Sequence, residues 1–128
     1  MNYLLDSNAF LWWHLDRSRL SPRALSAIVN QDNTLTLSVA SVWEMAIKVK
    51  LGKLQLHGSL NDAVEAQTRV NRIQLLPVSV VHALKTQDLP LHHKDPFDRL
   101  LVAQAQAEKM IIITADQAIV RYDVKVVW

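Results

Sequence analysis

The chain has 128 residues, 50% of them hydrophobic, with 2 Gly, 4 Pro and no low-complexity tract, so a single domain over residues 1–128 is expected. It has no cysteine, which excludes disulfides, thiolate nucleophiles and cysteine-type zinc sites, and no apolar run suited to a membrane span or secretory leader, so a cytoplasmic location is expected. Fourteen basic against 12 acidic residues give a formal net charge of +2, too small a bias to identify a nucleic-acid partner without the placement of the charges.

Asn2 to Asp6 reads as a short strand buried on both faces, because Tyr3, Leu4 and Leu5 are consecutively apolar, as in a parallel sheet. A helix is expected through Ala9 to His14. Ser21 and Pro22 form a helix start, hydroxyl as N-cap and proline in the first turn, with Leu25, Ile28 and Val29 as the apolar stripe and an end near Gln31. Thr34 to Ser38 alternates β-branched and apolar residues and predicts a second strand, and Val39 to Leu51 keeps helical spacing up to Gly52. Ser59 to Arg72 is a further predicted helix, Ile73 to Val78 a third strand, and Val80 to Lys85 a short helix closed by Leu89 and Pro90. The sharpest helix start is Asp95-Pro96-Phe97-Asp98, with Asp95 as N-cap, Pro96 at the first position and Asp98 at the third, and this helix should run to about Lys109. Met110 to Thr114 is a fourth strand, Ala115 to Tyr122 a short helix and Val124 to Val127 a last strand. Strands alternating with helices predict an α/β fold, a central parallel sheet of about five strands flanked by helices.

In open parallel sheets, ligands bind beyond the carboxyl ends of the strands, where neighbouring connections leave in opposite directions. Asp6 ends the first strand and Asp116 follows the fourth, so the two carboxylates converge if those strands are neighbours. Asp98 lies in the first turn of the helix before the Asp116 strand, and Glu44 on the helix after the second strand. Carboxylates gathered without a cation repel, and some take up protons. An all-oxygen donor set suits Mg²⁺ or Mn²⁺ far better than zinc, and the matching chemistry is hydrolysis of a phosphodiester. No covalent nucleophile is needed, in keeping with the absence of cysteine, a Gly-rich phosphate loop and a Gly-x-Ser-x-Gly elbow. Each Asp alone is equally explained by a helix N-terminus, where it contributes about 0.3 to 1 kcal/mol, and Glu44 by an i to i+4 pair with Lys48.

Four blocks lift the site above these plainer explanations. Met1-Asn-Tyr-Leu-Leu-Asp6-Ser-Asn-Ala-Phe-Leu-Trp12 resembles the opening of VapC-like toxin PIN domains. Ser41-Val-Trp-Glu44-Met-Ala-Ile-Lys48-Val-Lys-Leu-Gly52-Lys-Leu resembles their second block, and His93-Lys-Asp95-Pro-Phe-Asp98-Arg-Leu-Leu-Val-Ala-Gln104-Ala their third, while Thr114-Ala-Asp116 matches the last acid. The middle two blocks are specific, and all four stand in the family's order and spacing. The resemblance implies an α/β PIN fold, dependence on Mg²⁺ or Mn²⁺, endonucleolytic cleavage of RNA, a homodimer, and an antitoxin protein that wraps the toxin and through which DNA is reached. Asp6, Glu44, Asp98 and Asp116 fall on the family's acidic positions, as catalytic and metal-binding residues. Asp95 fits an N-cap better than a ligand.

Ser7, Asn8 and Ser41 are candidates to hold water or a phosphate oxygen, although Ser7 and Asn8 stand where many relatives carry Thr and His. His92 and His93 would contact an RNA backbone when protonated, or face solvent from a Pro-flanked loop. Lys48, Lys50, Lys53 and Arg99 would steer phosphates towards the acids, or simply line solvated faces. Of Trp12, Trp13 and Trp43, at least two are expected in the core, the remainder at a dimer or antitoxin surface or stacked on an unpaired base. Substrate specificity is expected in the loops Lys53 to Leu60 and Thr86 to Lys94. Two other classes compete with the nuclease: a PIN-fold module that binds an antitoxin and acts as DNA corepressor with little catalysis, and phosphoryl transfer through Asp6. Ser7 and Asn8 after Asp6 lack the second Asp of an Asp-x-Asp phosphatase motif.

Overall fold

A computed structural model describes all residues of the chain, Met1–Trp128. Five strands, β1 (Asn2–Leu5), β2 (Thr34–Ser38), β3 (Gln74–Leu76), β4 (Ile111–Ile113) and β5 (Val126–Val127), form one sheet in the order β3-β2-β1-β4-β5. Every neighbouring pair is parallel, with Leu5 opposite both Leu37 and Ile113. Seven helices connect them: α1 (Ser7–Leu15), α2 (Pro22–Val29), α3 (Val39–Lys50), α4 (Leu60–Arg69), α5 (Val80–Lys85), α6 (Pro96–Glu108) and α7 (Gln117–Val120). The predicted α/β architecture of about five parallel strands is the observed one.

The apolar run in β1 is explained by a sheet covered on both faces. Side chains alternate along a strand, so Tyr3 and Leu5 join Leu37, Phe10, Trp13, Met45 and Ile113 on one side, while Leu4 joins Ile112, Val102, Ile119 and Tyr122 on the other. Leu4, Leu5, Leu37, Ile112 and Ile113 are fully buried, each contributing about 1.5 to 3 kcal/mol against the unfolded chain. No helix is long and apolar enough to cross a membrane.

Several element ends differ from expectation, each for a local reason. Helix α1 begins at Ser7 rather than Ala9, because the Asp6 carboxylate caps it by accepting from the Ala9 N–H at 2.7 Å. Helix α4 stops at Arg69 rather than Arg72, and Arg72 adopts a positive φ of 56° that no helix continues. The last predicted helix contracts to the single turn α7, capped by Asp116, and β3, β4 and β5 are each shorter than their apolar runs. Short 3₁₀ turns at Arg17–Arg19 and Thr86–Asp88 were not expected.

The chain runs outward from β1 to β2 and β3, then returns across the sheet so that β4 lies on the other side of β1. Connections therefore diverge between β1 and β4, and a cleft opens above their carboxyl ends.

Candidate active site

Asp6 is the first residue beyond β1, and its N–H still pairs with the Ile113 carbonyl at 3.2 Å. One residue beyond the end of β4, the Thr114 hydroxyl donates to Asp6 Oδ2, while Asp6 Oδ1 accepts from the Ala9 N–H. Thr114 Oγ1 also accepts the Asp116 N–H at 3.0 Å, so one buried hydroxyl ties both strand-end acids together. Burial pushes the Asp6 carboxyl from its ordinary 3.8 up to about 6; the Thr114 and Ala9 hydrogen bonds oppose that rise, and the charges of Asp116 and Glu44 add to it.

Glu44 reaches the same cleft from α3. Its Oε1 accepts the Ser7 hydroxyl at 2.6 Å, and its Oε2 lies 3.9 Å from Lys48 Nζ. The expected Glu44–Lys48 pair is therefore present, but at the cleft wall rather than on an outer helix face.

Asp98 enters from the first turn of α6. Burial raises its carboxyl to about 7, neighbouring Asp95 adds to the rise, a hydrogen bond with His93 opposes it, and Asp116 and Glu44 contribute smaller increments. His93 Nε2 stands 2.9 Å from Asp98 Oδ2. Asp95 fulfils the cap predicted for it, accepting the N–H groups of Phe97 at 2.8 Å and Asp98 at 3.4 Å. Asp116 caps α7 through the Ala118 N–H at 2.9 Å and remains exposed.

These elements enclose a cleft of about 150 Å³ lined by Asp6, Glu44, Asp98 and Asp116, with Ser7, Asn8, Ser41, Lys48 and Asp95 beside them. Five carboxyl groups thus face one ammonium, and two of them, Asp6 and Asp98, resist ionisation. The donor atoms of His93, Asp98 and Asp116 lie within 4.8 Å of one another, a spacing that one ion can bridge. A hard divalent cation fits this set, because its charge offsets both the burial that chiefly raises the Asp6 and Asp98 carboxyls and the lesser repulsion from their acidic neighbours.

Several expectations need correction. Arg99 does not face the cleft: its terminal nitrogens donate to the carbonyls of Thr86 at 2.9 Å and Pro90 at 2.8 Å, and to the Tyr122 hydroxyl at 3.1 Å, so it fastens the 86–93 loop instead of steering phosphate. His92 packs its ring edge-on to Tyr122, 5.1 Å between centroids, while His93 turns towards the acids rather than to solvent. Lys50 and Lys53 are exposed and lie outside the cleft lining. Trp13 is buried, its indole N–H donating to Gln67 at 2.8 Å, and Trp12 is half-buried against Trp128, whereas Trp43 is 63% exposed and rests on Phe97, 5.3 Å between centroids. Sequence reasoning gave no role to Thr114 or Tyr122. A Thr two residues before a strand-end Asp was the available signal for the first; Tyr122 offered none, since its partners lie far away in the chain.

The sequence profile of the family described as PIN domain matches residues 3–125 of the chain. No curated protein sequence matches it. Among solved structures, a chain of VapBC2 from Rickettsia felis, bound there to a DNA fragment from its promoter, superposes with a TM-score of 0.72 at 14% identity, covering 98% of this chain and 97% of that one. VapBC-1 from nontypeable Haemophilus influenzae gives 0.62 at 21% identity, covering 98% and 96%, and FitAcB from Neisseria gonorrhoeae 0.61 at 19%, covering 97% and 95%. At such identities the likeness establishes the fold.

Proposed function

The chain belongs to the PIN domain family, and from that premise we propose that it is a metal-dependent endoribonuclease, acting as the toxin of a toxin–antitoxin pair and folded as one domain over residues 1–128. The observation that carries this reading is the convergence of Asp6, Glu44, Asp98 and Asp116 on one cleft at the carboxyl edge of β1 and β4.

In this reading the four acids hold Mg²⁺ or Mn²⁺. Such an ion, when bound, acidifies water and offsets the charge that builds on a phosphodiester during hydrolysis. The protein's own residues prepare the site. Thr114 and the Ala9 N–H fix the Asp6 carboxylate, and the Ser7 hydroxyl fixes that of Glu44, so neither has to be ordered as substrate arrives. Lys48 is the one cation lining the cleft and attracts the RNA backbone, and Asn8 and Ser41 offer polar contacts to a phosphate oxygen or water at its rim. Trp43, exposed on Phe97 beside the acids, provides a face for an unpaired base.

A cognate antitoxin and a second copy of the chain are the proposed protein partners, DNA being reached only through the antitoxin, in the cytoplasm. The complexes named for the Rickettsia, Haemophilus and Neisseria proteins support the antitoxin. An intact acidic set speaks against a purely antitoxin-binding module.

The test is RNA cleavage by purified protein with Mg²⁺ or Mn²⁺. Cleavage is expected to stop with chelator and to fall at least about 100-fold in Asp6→Asn and Asp98→Asn. If the wild type cuts no RNA with either metal yet still binds a small protein encoded beside it, the binding-module reading replaces this one.

A further inference from the structure

Resting on the metal-dependent reading above, we propose that His93 is a nitrogen ligand of the same centre, which gives the site a preference for Mn²⁺ over Mg²⁺ that an all-carboxylate set would lack. His93 lies in the loop before α6, where a flexible side chain would be expected, yet its main chain is clamped on both sides. Its N–H donates to the Tyr122 hydroxyl at 3.0 Å, and that hydroxyl donates back to the His93 carbonyl at 3.3 Å. Arg99 donates to the same hydroxyl at 3.1 Å and to the His93 carbonyl at 3.5 Å. One O–H proton and two lone pairs are thereby all used, and Tyr122 is only 4% exposed.

The clamp aims the imidazole. Nε2 lies 2.9 Å from Asp98 Oδ2, and the donor atoms of His93, Asp98 and Asp116 are mutually within 4.8 Å. Adjacent ligands of an octahedral ion, each about 2.1 Å from it, stand about 3 Å apart. The His93–Asp98 separation therefore serves a shared cation as well as it serves a hydrogen bond. Nδ1 makes no hydrogen bond to protein and is free to carry the ring proton, leaving the Nε2 lone pair available. A second carboxylate, Asp116, within the same span is more than a simple His–Asp pair requires. Neighbouring His92 marks the contrast, since its ring lies on Tyr122 and is absent from the cluster.

The chemical consequence is selectivity. Mg²⁺ favours oxygen ligands and retains water, while imidazole suits the first-row transition ions. Removing the His93 ring should weaken Mn²⁺ binding about tenfold and leave Mg²⁺ binding nearly unchanged.

The experiment is pulsed electron paramagnetic resonance of Mn²⁺ bound to the full chain, with ¹⁵N-histidine labelling of the wild type as a version that needs no substitution. The expected result is a directly coordinated histidine nitrogen in the wild type and in His92→Ala, gone in His93→Ala, which still binds Mn²⁺ more weakly. Bound Mn²⁺ with no nitrogen coupling, or coupling that survives in His93→Ala, overturns the assignment of His93 and leaves the nuclease reading standing. A wild type that binds no Mn²⁺ overturns the assignment of His93, and one that binds neither Mn²⁺ nor Mg²⁺ overturns the nuclease reading as well.

Discussion

The two walls of the cleft are built on different principles. The first, Asp6 with Thr114, Ser7 and Glu44, stands on strand ends and the helices that leave them, and its hydrogen bonds are short, buried at Asp6 and partly buried at Glu44, and made within the wall itself. The second, His93 with Asp95 and Asp98, stands on a loop and a helix start, and depends on Arg99 and Tyr122 reaching in from behind. The sheet thus supplies a rigid half, and a side-chain clamp supplies the other. Rigid positioning of a carboxylate needs only the next strand, whereas aiming a loop needs a cation and a phenol placed elsewhere in the chain.

Both walls share one cost, which gives the largest predicted effect. Asp6 and Asp98 are raised to about 6 and about 7, so between pH 4 and those values the folded chain binds more protons than the unfolded one. The stability they contribute is fully present below the ordinary value of 3.8 and is lost as pH rises through 6 and 7. For buried Asp6 alone the loss is on the order of 3 kcal/mol. Thermal melts of metal-free protein should therefore show the melting temperature falling from pH 5 to pH 8, and added Mn²⁺ should restore it most at the alkaline end. Asp98→Asn should flatten the profile; a profile equally steep in that variant would show that the second wall carries no such strain.

Arg99→Ala should separate the walls. Freed carbonyls at Thr86 and Pro90 and an underused Tyr122 hydroxyl should cost on the order of 2 kcal/mol in denaturant unfolding. Amide exchange should speed up through residues 86–93 while Asp6 and Ala9 keep their protection. Arg99→Lys should fail to rescue, because an ammonium cannot reproduce the forked contacts. Uniform loss of protection across both walls would contradict the division.

Thr114→Val is the smaller, complementary cut. It leaves Asp6 Oδ2 and the Asp116 N–H without their shared partner, at about 1 kcal/mol near pH 5 and more above pH 7, where Asp6 is ionised. Urea titrations at the two pH values measure the difference, and equal costs at both would deny the hydroxyl its part in holding a charged carboxylate.

The contrast also explains what was readable in the sequence. The acids at Asp6 and Asp116 are marked by the apolar strands they terminate, and Asp98 by the Asp95-Pro96 start, all signals confined to a few neighbouring residues. Thr114 meets Asp6 across 108 residues and Tyr122 meets His93 across 29, and no local pattern encodes such meetings. Arg99 was misjudged for the same reason: its charge is visible in the sequence, its direction is not. Short elements such as α7 and β5 escaped accurate limits because caps and strand pairing, more than apolar content, decide where they end.

The proposed activity requires a divalent cation held between the two walls of the cleft. Anomalous diffraction from crystals soaked in Mn²⁺ tests this most directly. A manganese peak within bonding distance of carboxylates from both walls, Asp6 or Glu44 on one side and Asp98 on the other, is the expected result. Manganese found only at surface carboxylates elsewhere, with the cleft acids hydrogen-bonded to one another, would contradict it.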